Sequence, residues 1–386
     1  MELLISLTVG ITVMTAAIML FSQGMDATWV VTQKAEMQQD LRAASDLMVK
    51  DISLAGTGLP VETGITLPNG GGAVVPIYGC DQNGTCPPAG AINYPVPPGG
   101  GPPTLYPIIP GFQLGIVPPG SPTTTDVTTT VYEDPVLALD CYQVTFPAAP
   151  AANPVTFTLP AVPPPSCLPA GVNTPQQLIG NPASLQSGDV LLFSYGSAYA
   201  LAEVSGVAGA AGVYTVTFAN ADALRLNQNA AGVSNNLAAL STAFNTCLKN
   251  NPGNPGGVCD QTAIRLEIIT YYLKNVPDPA GIGPGTPVLM RQISGHTAIP
   301  VAENVVNLQF TYDTYNSDGT LLSGAGDGGY SLGDSYNLVR KVNVLHLSIR
   351  STLQGQRTAL MATKGYQTFD FQTSISARNL SYQQRY

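Results

Sequence analysis

The side chains in this sequence that could do chemistry are few and poorly grouped. There are only two histidines, His296 and His346, the first in a polar loop pattern and the second inside a strand pattern, with no nucleophile signature near either. The chain carries no Gly-x-Ser-x-Gly elbow, no His-Glu-x-x-His pair and no Gly-Lys-Ser/Thr phosphate loop, so acyl transfer, zinc hydrolysis and nucleotide chemistry lack their residues. Gly281-Ile-Gly-Pro-Gly285 is glycine-rich, but its prolines and the absence of a following helix pattern make it a turn. Catalysis has no support at this level, and the expectation is a non-enzyme. One ionic motif remains: Asn316, Asp318, Asp327 and Asp334 lie in a Gly-rich loop, and Asn316-Ser-Asp-Gly319 is part of an oxygen-ligand turn for calcium. The full twelve-residue calcium pattern and its closing glutamate are missing, so the competing reading is a hairpin loop whose Asp and Gly serve turns.

Six cysteines, Cys80, Cys86, Cys141, Cys167, Cys247 and Cys259, fall into three local pairs, and nearest-neighbour bonding is the simplest of the fifteen connectivities six cysteines allow. No Cys-x-x-Cys occurs, so zinc is not expected and the oxidising side of a membrane is the natural compartment. Ser121 to Thr130 reads Ser-Pro-Thr-Thr-Thr-Asp-Val-Thr-Thr-Thr. It is either a β-rich stretch or a cluster of O-glycan acceptors at Thr123, Thr124, Thr125, Thr128, Thr129 and Thr130. Asn83-Gly84-Thr85 and Asn379-Leu380-Ser381 fit the N-glycan sequon, with ordinary loop and strand residues as the alternative.

The element that organises the chain is its first stretch, Met1 to Gly56. Leu3 to Phe21 is almost wholly apolar and Glu2 is the only charge before Asp26, a length of about 20 residues that suffices to span a bilayer. From Val30 the pattern changes: Met37, Leu41, Ala44, Met48 and Ile52 recur at three- and four-residue steps with charges mostly off that line, which makes an amphipathic helix. The two halves together predict a rod on the order of 80 Å long, ended by Ala55-Gly56. Gly10 and Gly24 inside it soften the helix or admit a close neighbour.

The run Glu2-Leu-Leu-Ile-Ser6 at the head of such a helix resembles the type IV pilin and pseudopilin superfamily, whose mature chains begin with an apolar segment carrying one early glutamate. Further pieces resemble the minor pilin W and pseudopilin J branch: Ile269 to Leu273, Val288 to Arg291, Ala302 to Tyr312, the long strand Val339 to Thr352, and Thr368 to Leu380 as a final strand. The family has a short basic leader ahead of its glutamate, whereas here Met1 alone precedes Glu2, so no cleavage site is named. The resemblance implies assembly through Glu2, compensated by the amino terminus of a neighbouring subunit (Met1 as the chain stands). It further implies copies of the chain and other pilins in a helical filament, the assembly machinery as a partner, and residence in the inner membrane before the extracellular filament forms. Some members bind calcium in a loop, which is the family's bearing on the 316–334 residues. Glu2 has a plainer reading too, as an interfacial residue favoured by the helix dipole.

Composition fits this compartment. Only 10% of the 386 residues are charged, the net charge is −9, and 40 glycines and 33 prolines point to long loops, while 44% hydrophobic residues suffice for a core. An acidic chain without a basic patch is not expected to bind nucleic acid. Short Val-, Leu- and Tyr-rich runs at Asp189 to Tyr195, Ala198 to Val207, Gly212 to Phe218 and Ala263 to Lys274 read as antiparallel strands, and an Ala/Leu/Asn-rich region before Lys249 holds a short helix. The expected fold is α+β: a long N-terminal helix packed on an antiparallel sheet, with residues 1–56 as the helix, 57–186 as a surface-exposed Pro/Gly-rich elaboration and 187–386 as the β domain. Met37, Leu41, Ala44 and Met48 are expected to face strands at Val305 to Tyr312, Val339 to Thr352 and Thr368 to Ala377. The expected function is a structural filament subunit. A low-copy initiating or tip pilin, and a membrane-anchored adhesin of another class altogether, are the alternatives.

Overall fold

The computed structural model describes residues 2–59, 64–70, 74–88, 90–97, 100–119, 121–147, 153–160, 167, 177–181, 183–220, 222–228, 233–251, 259, 261–277, 285–314, 339–350 and 368–382. Met1, residues 281–284, Asn316, Asp318, Asp327, Asp334, Ser351 and Thr352 lie outside them. Among the described residues the α-helices are α1 (Glu2–Leu54), α2 (Leu237–Asn250) and α3 (Arg378–Tyr382). The first strands are β1 (Ile65–Thr66), β2 (Ile77–Tyr78), β3 (Ile92–Asn93), β4 (Thr104–Leu105), β5 (Ile108–Gly111), β6 (Val127–Glu133), β7 (Gln143–Thr145) and β8 (Val155–Thr158). Then come β9 (Val190–Tyr195), β10 (Ala198–Glu203), β11 (Gly206–Ala210), β12 (Val213–Thr217), β13 (Gln261–Val276), β14 (Thr286–Ile293), β15 (Ile299–Glu303), β16 (Val305–Thr314), β17 (Val339–Arg350) and β18 (Thr368–Ser376).

All described pairings are antiparallel. The largest sheet is built on β13, whose 16 residues rich in Ile, Tyr and Leu suit a strand covered on both faces. β6 takes one edge of β13, from Leu266 to Tyr271, and the other edge is shared end to end by β9, from Gln261 to Leu266, and β14, from Ile269 onward. β10 and β15 extend this sheet and β5 pairs with β6. A second sheet has the order β11-β12-β8-β7 and a third β16-β17-β18. The chain passes from the first sheet to the third at Asn304, whose φ of +58° suits the left-handed conformation that asparagine tolerates. Ala302 to Tyr312, one run in the sequence, is therefore two strands in two sheets.

α1 ends where the sequence places its stop. Gly56 adopts φ +83°, its N–H donates to the Val131 carbonyl at 2.8 Å, and a Cβ there would meet Leu380 at 2.8 Å. Asn379 donates its side-chain amide to the Gly56 carbonyl. The last turns of the chain are thus a short helix, α3, closing the end of α1, and the strand expected through Leu380 ends at Ser376.

Met37, Leu41, Ala44, Met48 and Ile52 are all at most 7% exposed. The second half of α1 lies against β15, β17, β18 and β6. At about 1.5–3 kcal/mol per large side chain buried, this stripe fastens the helix to the sheets. Two hydrophobic cores result, and β9 separates them: Val190 and Leu192 join the α1 core, while Leu191 and Phe193 join a second core under β7, β8, β12 and α2. Alternation of side chains across a strand makes one strand serve both. α2 presents Leu237, Leu240, Ser241 and Phe244 to the second core at helical steps, and its Asn236 cap accepts the Ala239 N–H at 2.8 Å.

The segment 57–186 is not a surface elaboration. β6 is a buried strand of the largest sheet, and Thr128, Thr129 and Thr130 are each 0% exposed. Thr129 Oγ1 bonds to Thr270 Oγ1 at 2.9 Å, and the Tyr312 hydroxyl donates to Thr128 Oγ1 at 3.2 Å. Thr125, also buried, donates to the Ile116 carbonyl at 2.9 Å. These four cannot accept a glycan on the folded chain. β-branched threonines favour a pleated strand, and hydroxyls such as those of Thr128 and Thr129 find partners across it. Of the run, Thr123 is exposed and Thr124 half-buried; Asn83 is exposed in a turn.

Candidate assembly interface

α1 is 53 residues long, and its first and second halves have opposite surroundings. An 18-residue apolar window near the amino terminus, long and apolar enough to cross a membrane, has none of its residues buried. Leu4, Leu7, Val13 and Phe21 project outward, Phe21 being 70% exposed, and Trp29 stands where the apolar stretch gives way to charge. The hydroxyls in this sleeve do not need water. Ser6 donates to the Leu3 carbonyl at 3.0 Å, Thr8 to Ile5 at 2.9 Å, Thr12 to Val9 at 2.8 Å and Thr15 to Ile11 at 2.7 Å. Each of these hydroxyls is satisfied by its own helix, the condition for a helix in a hydrocarbon or dry protein environment. A Cβ added at Gly10 or Gly24 would meet nothing within 4 Å, so nothing in the described fold requires glycine at either position. Glu2 occupies the first turn and is exposed.

The other end of α1 is held by charge as well as by packing. Asp51, 1% exposed, sits three residues after Met48 and four before Ala55, on the buried face itself. Its Oδ2 accepts Arg291 Nε at 2.8 Å and the Tyr271 hydroxyl at 2.6 Å, and its Oδ1 accepts the Tyr132 hydroxyl at 3.1 Å. One carboxylate thus ties the helix to β14, β13 and β6. Burial first, and then the Asp51 charge, push both phenols well above the usual tyrosine range, so they remain donors. Burial opposes the charge on Arg291, but the hydrogen bond and charge of Asp51 outweigh it and raise the guanidinium further. Near where α1 leaves the head, the body of sheets packed on its second half, Glu36, Asp40 and Glu303 line a groove of about 330 Å³, and partial burial, then Glu303 and Glu36, raise the Asp40 carboxyl.

A second ionic cluster lies within the sheets. Arg265 of β13 bonds to Asp134, and its Nη1 lies 3.3 Å from Asp189 Oδ2, whose other oxygen meets His296 Nε2 at 2.8 Å. His296 is therefore tied to Asp189 by a hydrogen bond rather than being a solvated loop residue. His346 sits apart on β17, with Asn307, Ser348 and Asp370 around it. Among the described residues no group of His, Cys, Asp or Glu is arranged to hold a metal ion. The disulfides join Cys80 to Cys86, Cys141 to Cys167 and Cys247 to Cys259. The last ties the end of α2 to the approach to β13.

Neither Asp51 nor Arg265 stood out in sequence reasoning. The one signal was a charged residue on the apolar line of α1; its partners lie 81, 220 and 240 positions away. No family model, curated protein or solved structure matches the chain.

Proposed function

We propose that this chain is a structural subunit of a type IV pilus-like filament, held in the inner membrane by the first half of α1 before assembly and packed through that half against other copies afterwards. The observation that carries the reading is the division of α1: a bare, apolar, internally hydrogen-bonded first half continuous with a second half sunk into the head. A lipid bilayer and a bundle of identical helices are the two surroundings that suit such a surface, and a filament subunit uses them in turn. Glu2 supplies the specificity. A carboxylate in an apolar sleeve costs several kcal/mol unless it gains a partner or a proton, and the amino terminus of the neighbouring copy is the partner this reading assigns.

The test is Glu2→Ala, assayed for incorporation into sheared filaments at matched membrane levels. The head does not depend on Glu2, and losing a charge eases insertion, so folding and membrane residence should be retained while incorporation falls. Normal incorporation would reduce Glu2 to an interfacial residue, and a chain that stays in the membrane without entering filaments in either form would be an anchored surface protein instead.

A further inference from the structure

Where α1 enters the head, its two flanks carry opposite charge. Met37 and Leu41 mark the buried stripe at this level. On one side of the stripe Glu36 and Asp40, both exposed, line the 330 Å³ groove together with the exposed Glu303 at the end of β15. Arg350 lines the same groove, but it is 5% exposed and donates its Nη1 to the Pro119 carbonyl at 2.8 Å; three carboxylates against one guanidinium leave the groove net negative. On the other side of the stripe stand Lys34 and Arg42, also exposed. At about 100° per residue a step of two carries a side chain to nearly the opposite side of a helix, so Lys34 is set against Glu36, and Arg42 against Asp40, across the stripe. Beyond Arg42, Asp46 and Lys50 are of opposite sign and cancel. Among the described residues, none of Lys34, Glu36, Asp40, Arg42 and Glu303 makes an ion pair.

A charge in water needs no partner, but opposite charges on opposite flanks of one helix, at the same height, make the chain complementary to itself. The four helix residues span only about 12 Å along the axis. When one copy brings Lys34 and Arg42 to a neighbour's groove, it still offers its own groove, on the far side, to the next copy. Such a contact is heterologous and, repeated with a rise, builds an open helix, whereas a two-fold contact would set like flank against like. We propose, on the basis of the filament reading, that a second copy of this chain seats Lys34 and Arg42 in the groove of Glu36, Asp40 and Glu303, and that this contact sets the lateral order of copies around the filament. Charge complementarity contributes more to register and to choice of partner than to affinity. The apolar half of α1 therefore supplies the attachment, and the charged flanks select the neighbour.

The test is incorporation into sheared filaments, at matched membrane levels, of full chains with one flank reversed. Lys34→Glu with Arg42→Glu makes both flanks acidic; Glu36→Lys with Asp40→Lys and Glu303→Lys makes both basic. All five side chains are exposed, so near-ultraviolet dichroism should match the parent. Each reversed chain alone should be incorporated at least about tenfold less, because like charges then meet at the contact. The two expressed together should recover to within about threefold of the parent, since each supplies the flank that the other lacks. Reversed chains that enter filaments as the parent does, or a mixture no better than either chain alone, would overturn the contact and leave the groove to a partner other than this chain. Should a reversed chain not fold, Lys34→Gln with Arg42→Gln takes its place and should also lower incorporation; an unchanged level would equally overturn the contact. A parent chain that enters no filaments would instead overturn the filament reading, and the contact with it.

Discussion

At the scale of single residues the decisive group is Asp51. A carboxylate 1% exposed is tolerable only because three donors converge on it, and the arrangement is asymmetric in its consequences. Replacing the whole set by apolar groups need not destabilise, but removing one member strands a buried guanidinium and two buried phenols. Asp51→Ala is therefore expected to destabilise the head by about 3–5 kcal/mol, read as a lower denaturant midpoint. A second change, Arg291→Met on the Asp51→Ala background, should recover part of the loss, since the stranded charge is then gone. Equal additive losses would mean that the two side chains do not act as a pair.

At the scale of elements, α1 is two helices by its surroundings and one in backbone. Leu41, 2% exposed, lies on the stripe packed against the sheets, whereas Leu7 faces outward, away from the head. Leu41→Asp buries an unpaired charge and should unfold or loosen the head, with loss of near-ultraviolet dichroism and of the cooperative transition. Leu7→Asp should leave head stability within about 0.5 kcal/mol and act only on membrane insertion or assembly. Comparable destabilisation by both would contradict the division of α1. β6 shows the same principle from the other side: a threonine run resembling a glycan cluster is a central strand, where Thr270 and Tyr312 supply partners for the hydroxyls of Thr129 and Thr128.

At the scale of the molecule, two cores share β9, the α1 core joining the helix to the largest and the three-stranded sheets and the second lying under β7, β8, β12 and α2. The head draws nothing from the first half of α1. A chain beginning at Thr28 should accordingly stay folded and become soluble without detergent, with a denaturant midpoint within about 0.5 kcal/mol of the parent head in stability terms. Loss of the cooperative transition on this truncation, followed by circular dichroism, would show that the apolar half supports the fold.

The sequence by itself determined whatever depends on periodicity and local chemistry. The apolar-then-amphipathic change in the first 56 residues marks one long helix and its buried stripe, Gly56 marks its stop, and alternating Val, Leu and Tyr mark the strands of the carboxy-terminal half. Such signals are carried by neighbours one to four positions apart and need no knowledge of the fold. What only the tertiary structure decided are the pairings between distant positions. Thr128 to Thr130 could be read as exposed or buried until β13 lay beside them, Asp51 had no stated partner until three strands brought Arg291, Tyr271 and Tyr132 to it, and the bonds between Asn227 and the Glu203 backbone depend on how residues 222–228 fold back over β10. A charge or hydroxyl in a chain is neutral information until its surroundings are known, because the same group is favourable in water, costly when buried alone and strongly fixed when buried with partners.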